Sequence, residues 1–270
     1  MPSRRLTALL VAALAIAAGV SIRSLFPAQD ADSVQVVAAD VLSFEIFLGL
    51  LAVAGAVLAP EGIGRRLGLL PGRLGAREVS LLMLGTLAAS FALDGLLDLS
   101  GLKQESALAD FERLIAGVHG SELPLAVLAF VLAPGICEEL LCRGWIQRGA
   151  VRRLGPIRGI ALASAVFGTL HLDPVHGLFA AFLGVYLGLV CHVAGSLRPA
   201  VACHVVNNLV ALLSGALAPD LEAPGLAALL GGGAIAAAAL WLVWRRTGSP
   251  PVPADEAPET AREAPVPVGE

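Results

Sequence analysis

Three apolar stretches of this 270-residue chain carry groups able to hydrolyse an amide bond. The first reads Pro134-Gly135-Ile136-Cys137-Glu138-Glu139-Leu140-Leu141-Cys142-Arg143-Gly144-Trp145. Glu139 and Arg143 stand four apart with the acid first, the favourable order for a helical ion pair, so Glu139 is expected to be an anchored, supporting carboxylate. Glu138 is turned about 100° from it around a helix. It is expected to face elsewhere and to need another partner. Pro134 cannot donate to the carbonyl of Phe130, which permits a kink just ahead of the acids. The second stretch, Phe167-Gly168-Thr169-Leu170-His171, puts Phe167 and His171 on one helical face. The third, His204-Val205-Val206-Asn207-Asn208, does the same for His204 and Asn208, with Asn207 close beside them. Hydrolysis needs an activated water, a proton returned to the leaving amine, and donors for the oxyanion. Glu, His and Asn supply all of these. Each stretch alone also has a plainer reading, as an interfacial charge cluster or a histidine bonding two helices.

The elements that position these groups are read from composition. Hydrophobic residues make up 57% of the chain and charged ones 15%, against about 25% charged in soluble domains; the mean hydropathy is +0.80. So much apolar surface calls for lipid as solvent, and the fold class is an all-α polytopic transmembrane bundle. Eight segments approach the roughly 20 residues a span requires, near 6–22, 41–59, 79–97, 123–145, 157–172, 175–194, 198–217 and 225–244. Arg4 and Arg5 before an Ala-rich run leave a secretory signal open as an alternative for the first. Loops bearing Arg65, Arg66, Arg73 and Arg77, then Arg143 to Arg158, then Arg198, then Arg245 and Arg246 alternate with acidic or neutral ones. By the positive-inside rule this fits eight spans with both termini cytoplasmic, in what reads as a bacterial cytoplasmic membrane.

Residues 104–119 have Leu108, Phe111, Ile115 and Val118 at helical spacing among charges, which predicts an amphipathic helix at the outer interface. Ala180, Gly184 and Gly188 form a ridge of small residues that lets helices approach closely. The Pro-, Ala- and Glu-rich stretch from Thr247 reads as a disordered cytoplasmic tail. Domain boundaries follow: N-terminal spans and the interfacial helix over 1–119, a core over 120–217, a last span over 218–246, and the tail over 247–270.

Several function classes are disfavoured. The net charge is −4 with no large basic patch, so nucleic acid is not an expected partner. Cys137, Cys142, Cys191 and Cys203 form no CxxC pair and read as small buried hydrophobes. No inverted repeat suggests a transporter. His119, His176 and His192 are assigned to helix boundaries. Glu45, Asp94 and Asp98 are placed within about two turns of outer span ends, where they can reach water. Trp241 and Trp244 beside Arg245 and Arg246 form an interfacial anchor.

The order E-E-x-x-x-R, F-x-x-x-H and H-x-x-x-N, each in its own apolar helix, resembles the CPBP family of intramembrane proteases. That family includes the type II CAAX prenyl endopeptidases and the bacterial bacteriocin-processing and immunity-related proteins. The resemblance covers roughly residues 120–215; it departs at Cys142, where bacterial relatives often have Phe. It implies an endopeptidase acting on a peptide or protein substrate in or at the lipid bilayer. Glu138 would be the catalytic acid and base, His171 would work with it, and His204 and Asn208 would complete the site. Glu139 and Arg143 would be the supporting pair, accompanied by Phe167 and Asn207. Relatives are described as metalloproteases, and Glu138, His171 and His204 are suitable zinc ligands. The chain has no H-E-x-x-H helix, however, and the same groups could activate water without an ion. In that version Glu138 and His171 hold the water while His204 and Asn208 donate to the oxyanion. The rival reading is a scaffold or immunity protein that binds a peptide in the same pocket without cutting it.

Overall fold

Backbone in hydrocarbon must satisfy its own N–H and C=O groups, and this chain does so with helices. The computed structural model describes residues 33–57, 62–218 and 225–248, and no strand occurs among them. The helices are α1 (Val34–Val57), α2 (Ile63–Arg66), α3 (Ala76–Ser100), α4 (Ala107–Ala116), α5 (Gly120–Leu154), α6 (Pro156–Thr169), α7 (Pro174–Ala194), α8 (Arg198–Leu217) and α9 (Gly225–Thr247). Of these, α1, α3, α5, α7, α8 and α9 are long and apolar enough to cross a membrane. The protein is a polytopic helical membrane protein. The expected first span at 6–22 and the tail beyond Gly248 lie outside the described residues.

Two boundaries differ from the sequence reading. The segment expected to span at 157–172 is the 14-residue helix α6, which ends at Thr169. At 1.5 Å per residue it reaches about 21 Å, short of a ~30 Å hydrocarbon core. Leu172 then takes a left-handed conformation, φ 59°, which turns the chain towards α7. The second correction concerns α1, which begins at Val34 rather than near residue 41. That shift carries Glu45 from the end of a span into its interior, where it is buried.

The loops gather at two ends of the bundle. At one, Arg73 donates from Nε to Val193 O (2.6 Å) and from its Nη atoms to Thr247 O (2.9 Å) and Gly248 O (2.8 Å), which ties the ends of α7 and α9 together. Arg198 Nε donates to Leu69 O (2.7 Å) and Leu197 N to Gly68 O (2.8 Å) at the same end. At the other end, Lys103 bridges Asp94 (3.1 Å) and Glu112 (2.7 Å), and Gln35 donates to Glu122 (2.9 Å). The arginine-bearing loops and the acidic ones thus meet separate partners. Helix α4, capped by Ser106, is amphipathic and turns Ile115 inward against Gly215 of α8.

Small residues set how closely the spans approach. The most extensive helix pair is α3 with α9. There a side chain at Gly95 would meet Gly225 O at 2.5 Å, and one at Gly232 would meet Ala92 Cβ at 3.0 Å and run into the carbonyl of Ala88. Rigid backbone cannot give way as a flexible side chain can, so overpacking there costs about 1–3 kcal/mol. Gly95→Ala and Gly232→Ala are each expected to lower the thermal unfolding midpoint in detergent. Gly231→Ala, whose added carbon meets nothing within 4 Å, is expected to leave it unchanged or raise it slightly.

Candidate functional site

The acid pair sits on an irregular helix. Within α5, an α-helical segment, Ala133–Glu139, lies between two π-helical stretches, Val127–Leu132 and Leu140–Gln147. Such wide turns inside α-helices recur at functional sites. Pro134 removes the donor that would have served the Phe130 carbonyl, and Asn208 fills the gap: its Nδ2 donates to Phe130 O at 3.3 Å. The residue that frees a carbonyl on α5 and the amide that takes it on α8 thereby join the two helices.

Arg143 is the anchor. It has no exposed surface, and neither does Glu139. Arg143 Nη1 donates to Glu139 Oε1 at 2.7 Å and Nη2 to the carbonyl of Gly184 on α7 at 3.1 Å. Its guanidinium carbon lies 4.2 Å from the centre of the Phe167 ring of α6, a cation–π contact that supplies attraction where hydration cannot. Gly184 is small because a Cβ there would press on Arg143 Nη2 and Phe167 at 3.1 Å each. One turn on, Gln147 Nε2 repeats the pattern by donating to Gly188 O at 2.9 Å. The ridge of small residues on α7 thus serves to present carbonyls to α5.

His204 completes the cluster from α8. Its Nδ1 lies 3.0 Å from Glu139 Oε1 and its Nε2 lies 3.7 Å from Glu138 Oε2. Glu138 was expected to face away from Glu139. Instead both acids address one imidazole, one at each nitrogen, because the ring is long enough to span the angle between them. The Glu139 carboxylate accepts from Nδ1–H, which fixes the ring and turns Nε2 towards Glu138. Glu138 and His204 are both buried, at 6% and 4% exposure.

His171 lies just past the end of α6 rather than within it, but the last turn keeps its helical relation to Phe167. Its Nδ1 is 3.0 Å from Phe167 O, and the two rings meet edge to face at 5.1 Å. That bond puts the hydrogen on Nδ1 and leaves Nε2 as the acceptor nitrogen. Phe167 also touches the His204 ring at 5.8 Å, so it stands between the two histidines. His176, assigned from sequence to a helix boundary, has its ring 4.3 Å from that of His171. Asp173 caps α7 by accepting from His176 N at 2.7 Å and holds α4 through Ala107 N at 3.3 Å. Burial pushes the Asp173 carboxyl up, but the backbone donors of His176 and Ala107 outweigh it and hold the group below its ordinary value.

Asn207 donates to Asn208 Oδ1 at 3.3 Å. The structure therefore brings Glu138, Glu139, Arg143, Phe167 and His204 into one buried cluster, reaches His171 through Phe167, and sets Asn207 and Asn208 one turn beyond His204. Sequence reading missed Gln147 and misplaced Glu45, which is only 3% exposed and interacts electrostatically with Glu138.

A helical membrane protein with a glutamate–histidine cluster inside its bundle defines the class. Residues 120–210 match the family model described as Type II CAAX prenyl endopeptidase Rce1-like, and this supports membership of the CPBP family, whose activity is that of an intramembrane endopeptidase. Comparison with curated proteins and with solved structures found no match.

The buried pair makes a stability prediction. Arg143→Leu strips Glu139 of its cation inside the bundle, and breaking a buried pair in this way costs about 3–5 kcal/mol. Unfolding in detergent is expected to show that loss, with Arg143→Lys intermediate because an ammonium reaches fewer of the partners than a planar fork does.

Proposed function

We propose that the protein is an intramembrane endopeptidase in which Glu138 activates water. The observation that carries this is the imidazole of His204 held by Glu139 on one nitrogen and turned to Glu138 with the other. A carboxylate that orients a histidine, which in turn faces a second reactive group, is the arrangement that proton-transfer catalysis uses.

A water between Glu138 and His171 gives a proton to the Glu138 carboxylate as its oxygen bonds to the scissile carbonyl carbon. The carbonyl π electrons move to oxygen. That oxyanion takes hydrogen bonds from His204, when its ring carries hydrogen on Nε2, and from the second Nδ2 hydrogen of Asn208, the first being engaged by Phe130 O. The carbonyl then re-forms, the C–N bond breaks, and Glu138 returns its proton to the leaving nitrogen. Glu139, Arg143 and Phe167 position the ring without touching substrate.

A metal version fits the geometry poorly. Among the described residues no three His, Cys, Asp or Glu side chains stand where they could share an ion. No step is therefore routed through zinc. An apolar groove lined by Leu69, Ile136, Leu140, Val201 and Val205, with Arg198 at its edge, runs between α5 and α8.

Glu138→Gln is expected to lower peptide cleavage by about 10²–10⁴-fold, the usual worth of a general acid and base, in purified protein with a fluorogenic peptide library. Wild-type activity is expected to survive thorough chelation. Binding of peptide that persists unchanged in Glu138→Gln, with no wild-type cleavage, would favour the scaffold reading instead. A separate prediction concerns His204→Asn. It keeps a donor but loses the ring that bridges the acids, and should reduce kcat far more than it raises KM.

A further inference from the structure

Glu45 is a charged residue in the interior of a membrane span, outside the segment that matches the family, and the mechanism above does not use it. Intramembrane carboxylates are costly and are functional candidates by default. Residue 45 is 3% exposed, and its Oε2 is enclosed with no hydrogen-bond partner among the described residues. The face of α1 that carries it lies along the acid-bearing part of α5. One turn on, a side chain at Gly49 would meet Cys137 Sγ at 3.1 Å, and beyond that Gly55 is packed under Trp145. Glu45 interacts electrostatically with Cys137, Cys142 and Glu138.

The charges around it do not close. Arg143 gives its Nη groups to Glu139 and to the Gly184 carbonyl, and His204 stands between Glu138 and Glu139. Glu45 adds a further acid that interacts with Glu138 and, among the described residues, forms no ion pair. A neutral donor would satisfy its oxygen alone, whereas a cation held there would let both acids carry charge in a dry site. An enclosed carboxylate oxygen without a partner among the described residues is a place for an arriving donor, a water or a ligand group.

We propose that Glu45 is a substrate-recognition residue, whose carboxylate receives a cationic hydrogen-bond donor, a lysine-type ammonium or a free amino group, carried by the peptide close to its scissile bond. This rests on the peptidase reading and names the class of peptide that the site prefers.

The test uses the full chain in detergent, wild type and Glu45→Gln, against peptide pairs that differ only by Lys or Met at each position flanking the cut. Wild type is expected to prefer the Lys member at one position, and the Lys-to-Met ratio of kcat/KM should fall about tenfold or more in Glu45→Gln, as expected when one partner of a buried charge pair is lost. Equal ratios in the two proteins would overturn the proposal. So would a fall of more than about 4 °C in the melting midpoint of Glu45→Gln, roughly 1–2 kcal/mol for a chain of this size, because it would make the carboxylate a structural tie between α1 and α5. A midpoint that holds or rises supports a residue kept for ligand rather than for folding. A library left uncleaved by wild type would instead sink the peptidase reading itself, and the recognition role would fall with it.

Discussion

A guanidinium with no exposed surface, inside a bundle that excludes water, has to find its partners in the protein, and the partners of Arg143 come from three other places in the chain. Glu139 stands one turn back on α5, the Gly184 carbonyl belongs to α7, and the Phe167 ring belongs to α6. Satisfying one cation therefore fixes the rotation of α5, the distance to α7 and the register of α6 together. The oxygen of Glu139 that holds Arg143 also holds His204 of α8, so a fourth helix is set by the same atom. Buried ion pairs contribute little net stability compared with apolar packing of equal volume. Their use here is geometric, since few arrangements of four helices can meet all these contacts at once.

The irregularity of α5 belongs to the same design. A regular helix would have bonded the Phe130 carbonyl internally. Pro134 prevents that, and Asn208 collects the carbonyl from α8. The consequence is a helix that remains satisfied in a membrane while its acid-bearing segment is flanked by wide turns. Asn208 is therefore held in place by backbone through one hydrogen and keeps a second Nδ2 hydrogen that this bond does not use.

What the sequence made legible was the part encoded at local spacing. Composition announced membrane helices. The interval of four from Glu139 to Arg143 announced the ion pair, and the interval of four along Ala180, Gly184 and Gly188 announced a close approach. The partner of Glu138 was not readable, because it depends on where an imidazole 66 residues further on is carried by α8. The end of α6 was also not readable. Its apolar run continues past Thr169, and a left-handed leucine rather than a glycine or proline makes the turn. Glu45 was misplaced for a simple physical reason. A hydropathy window discounts the polar-looking start of α1, and the helix begins at Val34, so the carboxylate lies 11 residues in. That is about 16 Å along the axis, near mid-span rather than at its rim.

The contacts that buried polar groups make across helices separate two sets of residues. Arg143, Glu139 and Gln147 reach across helices to named acceptors and donors, and the small residues opposite them leave just enough room. Among the described residues Glu138 has no donor within hydrogen-bonding distance, standing 3.7 Å from His204, and the enclosed Oε2 of Glu45 makes no hydrogen bond, as Oε2 of Glu139, Nε of Arg143 and Oε1 of Gln147 make none. A bundle selected for stability alone would have paired or removed both acids, since each costs free energy in a medium that cannot solvate it. Both acids stand in the membrane interior where α1, α5 and α8 meet, near a histidine that the framework holds firmly. There a water and a peptide would complete what the side chains leave open.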